Sequence, residues 1–69
     1  MASVSQLVIT HPEINSFAEL KRLVVDLAKS GEIFLEFDIK PDYPDTPRAW
    51  AYQLEALFYR GEQTDGTNG

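Results

Sequence analysis

"EIFLEFDIK", residues 32–40, is the stretch whose reading decides the fold. Successive side chains of an extended chain point to opposite faces. Ile33, Leu35, Phe37 and Ile39 therefore share one side, and Glu32, Phe34, Glu36, Asp38 and Lys40 share the other. A period of two with one apolar face predicts a half-buried strand. On this reading the odd-numbered residues lie against a core and the even-numbered ones face water. The carboxylates Glu32, Glu36 and Asp38 then sit on the wet face, where charged groups ordinarily belong.

Upstream, "FAELKRLVVDLAKSG" over residues 17–31 repeats with the helical period. Phe17, Leu20, Leu23, Val24, Leu27 and Ala28 fall on one arc, and Glu19, Arg22, Asp26 and Lys29 on the opposite one. Ser16 with Glu19 three places on is a capping box, and Ile14 with Leu20 resembles a hydrophobic staple. Glu19–Arg22 and Arg22–Asp26 have the spacing of surface pairings. Gly31 is a natural stop. Before this helix, "SQLVIT" over 5–10 is β-branched and ends at Pro12, which predicts a short strand.

Downstream, "PDYPDTP" over 41–47 is a turn-rich loop with three prolines. Thr46 as N-cap and Pro47 at the first helical position predict a second helix over about 47–60. Its core face would be Trp50, Ala51, Leu54, Leu57 and Phe58. Asp42 and Asp45 lie near its positive end, where carboxylates are favoured. "EQTDGTNG" over 62–69 has no large apolar residue and is expected to fray. The expected order is β-α-β-α, an α/β chain of small α+β-like form. It comprises one globular domain over 1–61, with a two-stranded sheet covered on one face by two amphipathic helices; the intervening helix suggests a parallel pair with a right-handed crossover, and an antiparallel pair is the alternative. Two strands leave free edges, so a homodimer that continues the sheet is expected.

With 69 residues, a single domain buries only about 60% of its unfolded surface and is marginally stable. Cysteine is absent and His11 is the single histidine. Disulfides, thiolate metal sites and imidazole clusters are thereby excluded. An apolar share of 43% and an aromatic share of 12% are those of a folded chain. Net charge −5 disfavours direct nucleic-acid contact and anionic membrane. The N-terminus lacks a basic n-region, so no leader is expected and the cytoplasm is the expected compartment.

No chemistry-bearing pattern emerges. No serine sits in a nucleophile elbow, and His11 precedes a proline. Asp38, Asp42 and Asp45 lack the spacing and glycine of a calcium loop. No phosphate-binding glycine motif occurs. We therefore expect no catalysis, no metal and no cofactor, and a protein partner instead. Two surfaces are candidates to meet it. The first is the strip Arg48, Tyr52, Glu55 and Tyr59 on the second helix, with Ala49 and Ala56 beside it, since tyrosine and arginine dominate interface hot spots. The second is the acidic lane Glu32, Glu36, Asp38, Asp42 and Asp45. Same-face carboxylates on a strand lie roughly 6.5–7 Å apart, similar to phosphates along a strand of DNA. The lane suits a nucleic-acid-binding host protein as partner. The expected role is a small acidic accessory inhibitor of phage or mobile-element type, of the anti-CRISPR or DNA-mimic kind. The alternative is a self-associating structural or adaptor module.

Overall fold

The computed structural model describes residues 2–60, with Arg60 as backbone only. The expected tail over 62–69 lies outside the described residues. Five elements follow one another: β1 (Ala2–Ser3), α1 (Val4–Thr10), α2 (Phe17–Lys29), β2 (Leu35–Glu36) and α3 (Trp50–Arg60). The order is thus β-α-α-β-α, not β-α-β-α, and three helices accompany the two strands. The strands pair in parallel, Ala2 opposite Leu35 and Ser3 opposite Glu36.

The expected strand over 5–10 is helix α1. Its cause lies two residues before that run. Ser3 is extended and its Oγ accepts the Gln6 N–H at 3.1 Å, which is an N-cap. Val4 and Leu7 then fall three apart and are both buried, with Val8 half-buried beside them. Burial of this helical stripe outweighs the β preference of Val8, Ile9 and Thr10. Ile9 and Thr10 face outward.

This early turn into helix also explains why β2 is short. The chain offers β2 two residues to pair with, so the ladder ends at Glu36. Leu35 is 1% exposed, but Ile33 is 85% exposed and Ile39 is exposed too; Phe37 is half-buried. The odd-numbered face is thus hidden at Leu35, partly hidden at Phe37 and open at both ends. Phe34, on the other side, is exposed as expected.

Helix α2 follows its sequence signals closely. Ser16 is extended and its Oγ accepts the Glu19 N–H at 3.1 Å. Glu19 reaches back, but to the Asn15 N–H at 2.9 Å, one residue earlier than a standard capping box. At the other end Gly31 has φ +105°, which only glycine adopts freely. The Gly31 N–H donates to the Ala28 carbonyl at 3.2 Å and the Glu32 N–H to the Leu27 carbonyl at 3.3 Å. These two bonds are the Schellman pattern, and they satisfy carbonyls that the helix leaves open.

Helix α3 starts at Trp50 rather than at 47. Thr46 does not cap it. Its N–H donates to the Tyr43 carbonyl at 3.0 Å and its Oγ1 accepts the Tyr43 N–H at 3.1 Å. That closes a four-residue turn with Pro44 second, the place proline favours. The expected core face of α3 holds: Leu54 and Phe58 are buried, and Trp50, Ala51 and Leu57 are half-buried.

The core joins every helix: Val4 and Leu7 of α1, Phe17, Leu20 and Val24 of α2, Leu35 of β2, and Leu54 and Phe58 of α3. Leu35→Ala should therefore lower unfolding free energy by about 2–5 kcal/mol, as for other buried leucines. Ile33→Ala should change it by no more than about 0.5 kcal/mol. Urea unfolding of both variants checks this, and comparable losses would mean that Ile33 is covered in solution.

Candidate functional site

The five carboxylates of the expected lane do not share one role. Asp38 turns to the start of α1. Its Oδ1 accepts the Ser5 N–H at 3.1 Å and its Oδ2 accepts the Ser5 hydroxyl at 2.5 Å. The Ser5 hydroxyl foremost, and the backbone N–H with it, hold the Asp38 carboxyl below the usual range. Asp45 turns to the start of α2. The Phe17 N–H donates to its Oδ1 at 2.6 Å and the Ala18 N–H to its Oδ2 at 3.1 Å. The Phe17 N–H is the main cause of its lowered pKa, with the Ala18 N–H and the Lys21 ammonium adding to it. Expected near the start of α3, Asp45 instead caps a different helix from 27 or more residues away in sequence.

A helix start exposes N–H groups and a partial positive charge, and a carboxylate satisfies both. Glu36 and Asp42 are exposed and Glu32 is half-buried. The lane is therefore interrupted at Asp38 and Asp45, whose charges are directed onto helix ends. Tyr43 lies between these anchors. Burial raises its hydroxyl pKa and the Glu19 carboxylate raises it further.

Of the expected strip, Tyr52, Glu55 and Tyr59 lie on α3, whereas Arg48, with Ala49, falls in the turn before it rather than on the helix. Arg48, Tyr52, Glu55 and Tyr59 are all exposed, and Ala56 is half-buried beside them. Tyr52 is 67% and Tyr59 55% exposed. The Tyr59 ring meets Phe58 edge-on, with centroids 5.0 Å apart and planes at 86°. Phe58 is buried, so one edge of the Tyr59 ring rests against a residue of the core.

Two hollows flank the strip. One, of about 610 Å³, runs between α2 and α3. Its α2 side is Ala18, Lys21, Arg22 and Val25. Its α3 side is Tyr52, Gln53, Ala56 and Leu57. The other, of about 280 Å³, is bounded by Tyr52, Glu55, Ala56 and Tyr59. Tyr52 and Ala56 belong to both and form the ridge between them. Lys21 Nζ lies 5.9 Å from the Phe17 ring centroid, within cation–π range. The α2 wall was not singled out from the sequence. Its signal was present, because Ala18, Arg22 and Val25 are spaced i, i+4, i+7 and make a second, smaller stripe.

The remaining chemical groups serve local structure. His11 Nδ1 lies 3.1 Å from the Leu7 carbonyl oxygen and 3.0 Å from Thr10 Oγ1, at the end of α1. Among the described residues no three acidic or imidazole side chains gather into a metal-binding group, and no helix is long and apolar enough to cross a membrane.

The two carboxylate caps make stability pH-dependent. Both groups have a folded pKa below the unfolded one, so their contribution is complete above about pH 4 and is lost as pH falls through the folded values. Asp45→Asn should lower the melting temperature at pH 7, and the gap to the unaltered chain should shrink as pH is taken to about 3. Thermal melts followed by circular dichroism measure both quantities. A gap that stays constant with pH would show that the charge of Asp45 plays no part.

Compared with family models, with curated proteins and with solved structures, the chain matches none of them, and its function is argued from the geometry above.

Proposed function

We propose that this chain is a protein-binding module without catalytic activity, which meets its partner through the outer face of α3 and the groove beside it. The observation that carries the reading is the exposure of Tyr52 and Tyr59 at the rims of two adjoining hollows. Each ring offers a large apolar area with a polar tip and few torsions to immobilise. Arg22, Lys21 and Glu55 surround them with charge, as the polar rim of a contact surface does.

Mimicry of nucleic acid through the acidic lane draws less support. An imitation of phosphates needs its charges directed at the partner. Asp38 and Asp45 are directed at backbone N–H groups of α1 and α2. The same commitment argues against acid–base catalysis. A general acid or base works best with a pKa near the operating pH, and these two groups are moved away from it.

The test is affinity capture from the cells that naturally express the chain, with the unaltered protein beside a Tyr52→Ala/Tyr59→Ala variant. Both positions are exposed, so the variant should keep its circular dichroism spectrum and melting temperature. Capture of a discrete protein species that the double variant loses is the expected result. Capture that survives the double variant and disappears on Glu36→Gln/Asp42→Asn would transfer the function to the acidic lane.

A further inference from the structure

We infer that the partner fitted to the α3 face is a second copy of this chain, packed α3 against α3 about a two-fold axis near Ala56. The inference rests on the reading that this face is a contact surface, and it names the occupant.

Charge carries the argument. The ridge of Tyr52 and Ala56 separates a hollow walled by Lys21 and Arg22 from a hollow rimmed by Glu55. A two-fold axis that runs along the ridge, parallel to α3, sets each side of it against the other side of the second copy, since in such an interface the same patch serves both copies. Glu55 of each copy is then brought to the cationic wall of the other. A face with cations on one side of its centre and an acid on the other is complementary to itself. This matters for a chain of net charge −5, whose copies repel one another elsewhere. Lys21 also lies near Phe17 and Asp45, so Arg22, which is exposed, is the cation best placed to reach across.

The shape agrees with the charge. Ala56 at the centre of the ridge is small enough to let two helices approach closely. Tyr59, already resting against Phe58, loses little freedom on contact. The alternative route, continuation of the sheet, has two residues on each strand to work with. A face one 11-residue helix long and one groove wide lies at the small end of specific interfaces, near about 1,000 Å² in total. Association should accordingly be weak and visible at high micromolar concentration.

Sedimentation velocity of the full chain, from about 10 µM to about 1 mM, tests this. The mass should rise from 7.8 kDa towards twice that value. Arg22→Glu and Glu55→Arg should each weaken association by about tenfold or more, and the two together should restore it, because the pair re-forms with its signs exchanged. Circular dichroism verifies that every variant is folded. A mass that stays at one chain throughout, while tyrosine-dependent capture of a different protein persists, would overturn the second copy and leave the contact face standing. A dimer indifferent to both charge reversals would place self-association elsewhere and overturn the inference. Neither self-association nor tyrosine-dependent capture would remove the contact face as well.

Discussion

The carboxylate of Asp45 bridges the N–H groups of Phe17 and Ala18 at the start of α2, and that bridge ties the loop that leads into α3 to the helix on which α3 packs. The loop from 37 to 49 has no regular structure, yet it must bring α3 onto α2 in a fixed position. Asp38 ties one end of it to Ser5 of α1. Asp45 ties the other end to α2. Buried Pro41 and the turn closed by Tyr43 and Thr46 fix what lies between. A chain without disulfides gains by polar anchoring what a larger domain gains from core volume. Together, Ser16 and Asp45 satisfy the Phe17, Ala18 and Glu19 N–H groups at the start of α2.

Much of this was legible in the sequence where one local signal decides the outcome. The amphipathic stripe of α2, its serine cap and its glycine stop were all read from spacing, because each depends on residues within a turn or two. The core face of α3 was read the same way. Two readings failed for the opposite reason. The run from Ser5 to Thr10 has β-branched composition, but Ser3 and Val4, just before it, form the cap and the first buried position of a helix. The alternation from Glu32 to Lys40 is broken at Phe34 alone, but a strand is only as long as its partner, and the partner is Ala2–Ser3. Pairing length is a property of two distant segments, and no periodicity within one of them reveals it.

The acidic residues show the same limit. Asp38 and Asp45 have ordinary sequence contexts, a strand-like alternation and a proline-rich turn. Their roles appear only when the chain brings α1 and α2 within hydrogen-bonding distance. What looked like one acidic lane separates by role: Asp38 and Asp45, although exposed, accept bonds from helix N–H groups, while Glu36 and Asp42 face solvent. The exposure of Tyr52, Glu55 and Tyr59 on α3 was legible, because an exposed stripe on a helix follows from helical period alone, but Arg48 precedes the helix, which starts three residues later than the proline signal implied. The cationic wall opposite it comes from α2 and depends on how the two helices pack.

Asp45 thereby links fold to function. By anchoring the loop that leads into α3, it acts with the packing of Leu54 and Phe58 on Leu20 and Val24 to set where the Tyr52 and Tyr59 face stands against the Lys21 and Arg22 wall. The most direct measurement is a pH titration by nuclear magnetic resonance that follows the Asp45 side-chain carboxyl carbon and the backbone amides of Phe17 and Ala18 together. The bridge predicts that all three signals move with one shared midpoint, below the usual aspartate range. A normal midpoint for Asp45, with Phe17 and Ala18 amides that do not follow it, would contradict the bridge and the anchoring of the loop by it.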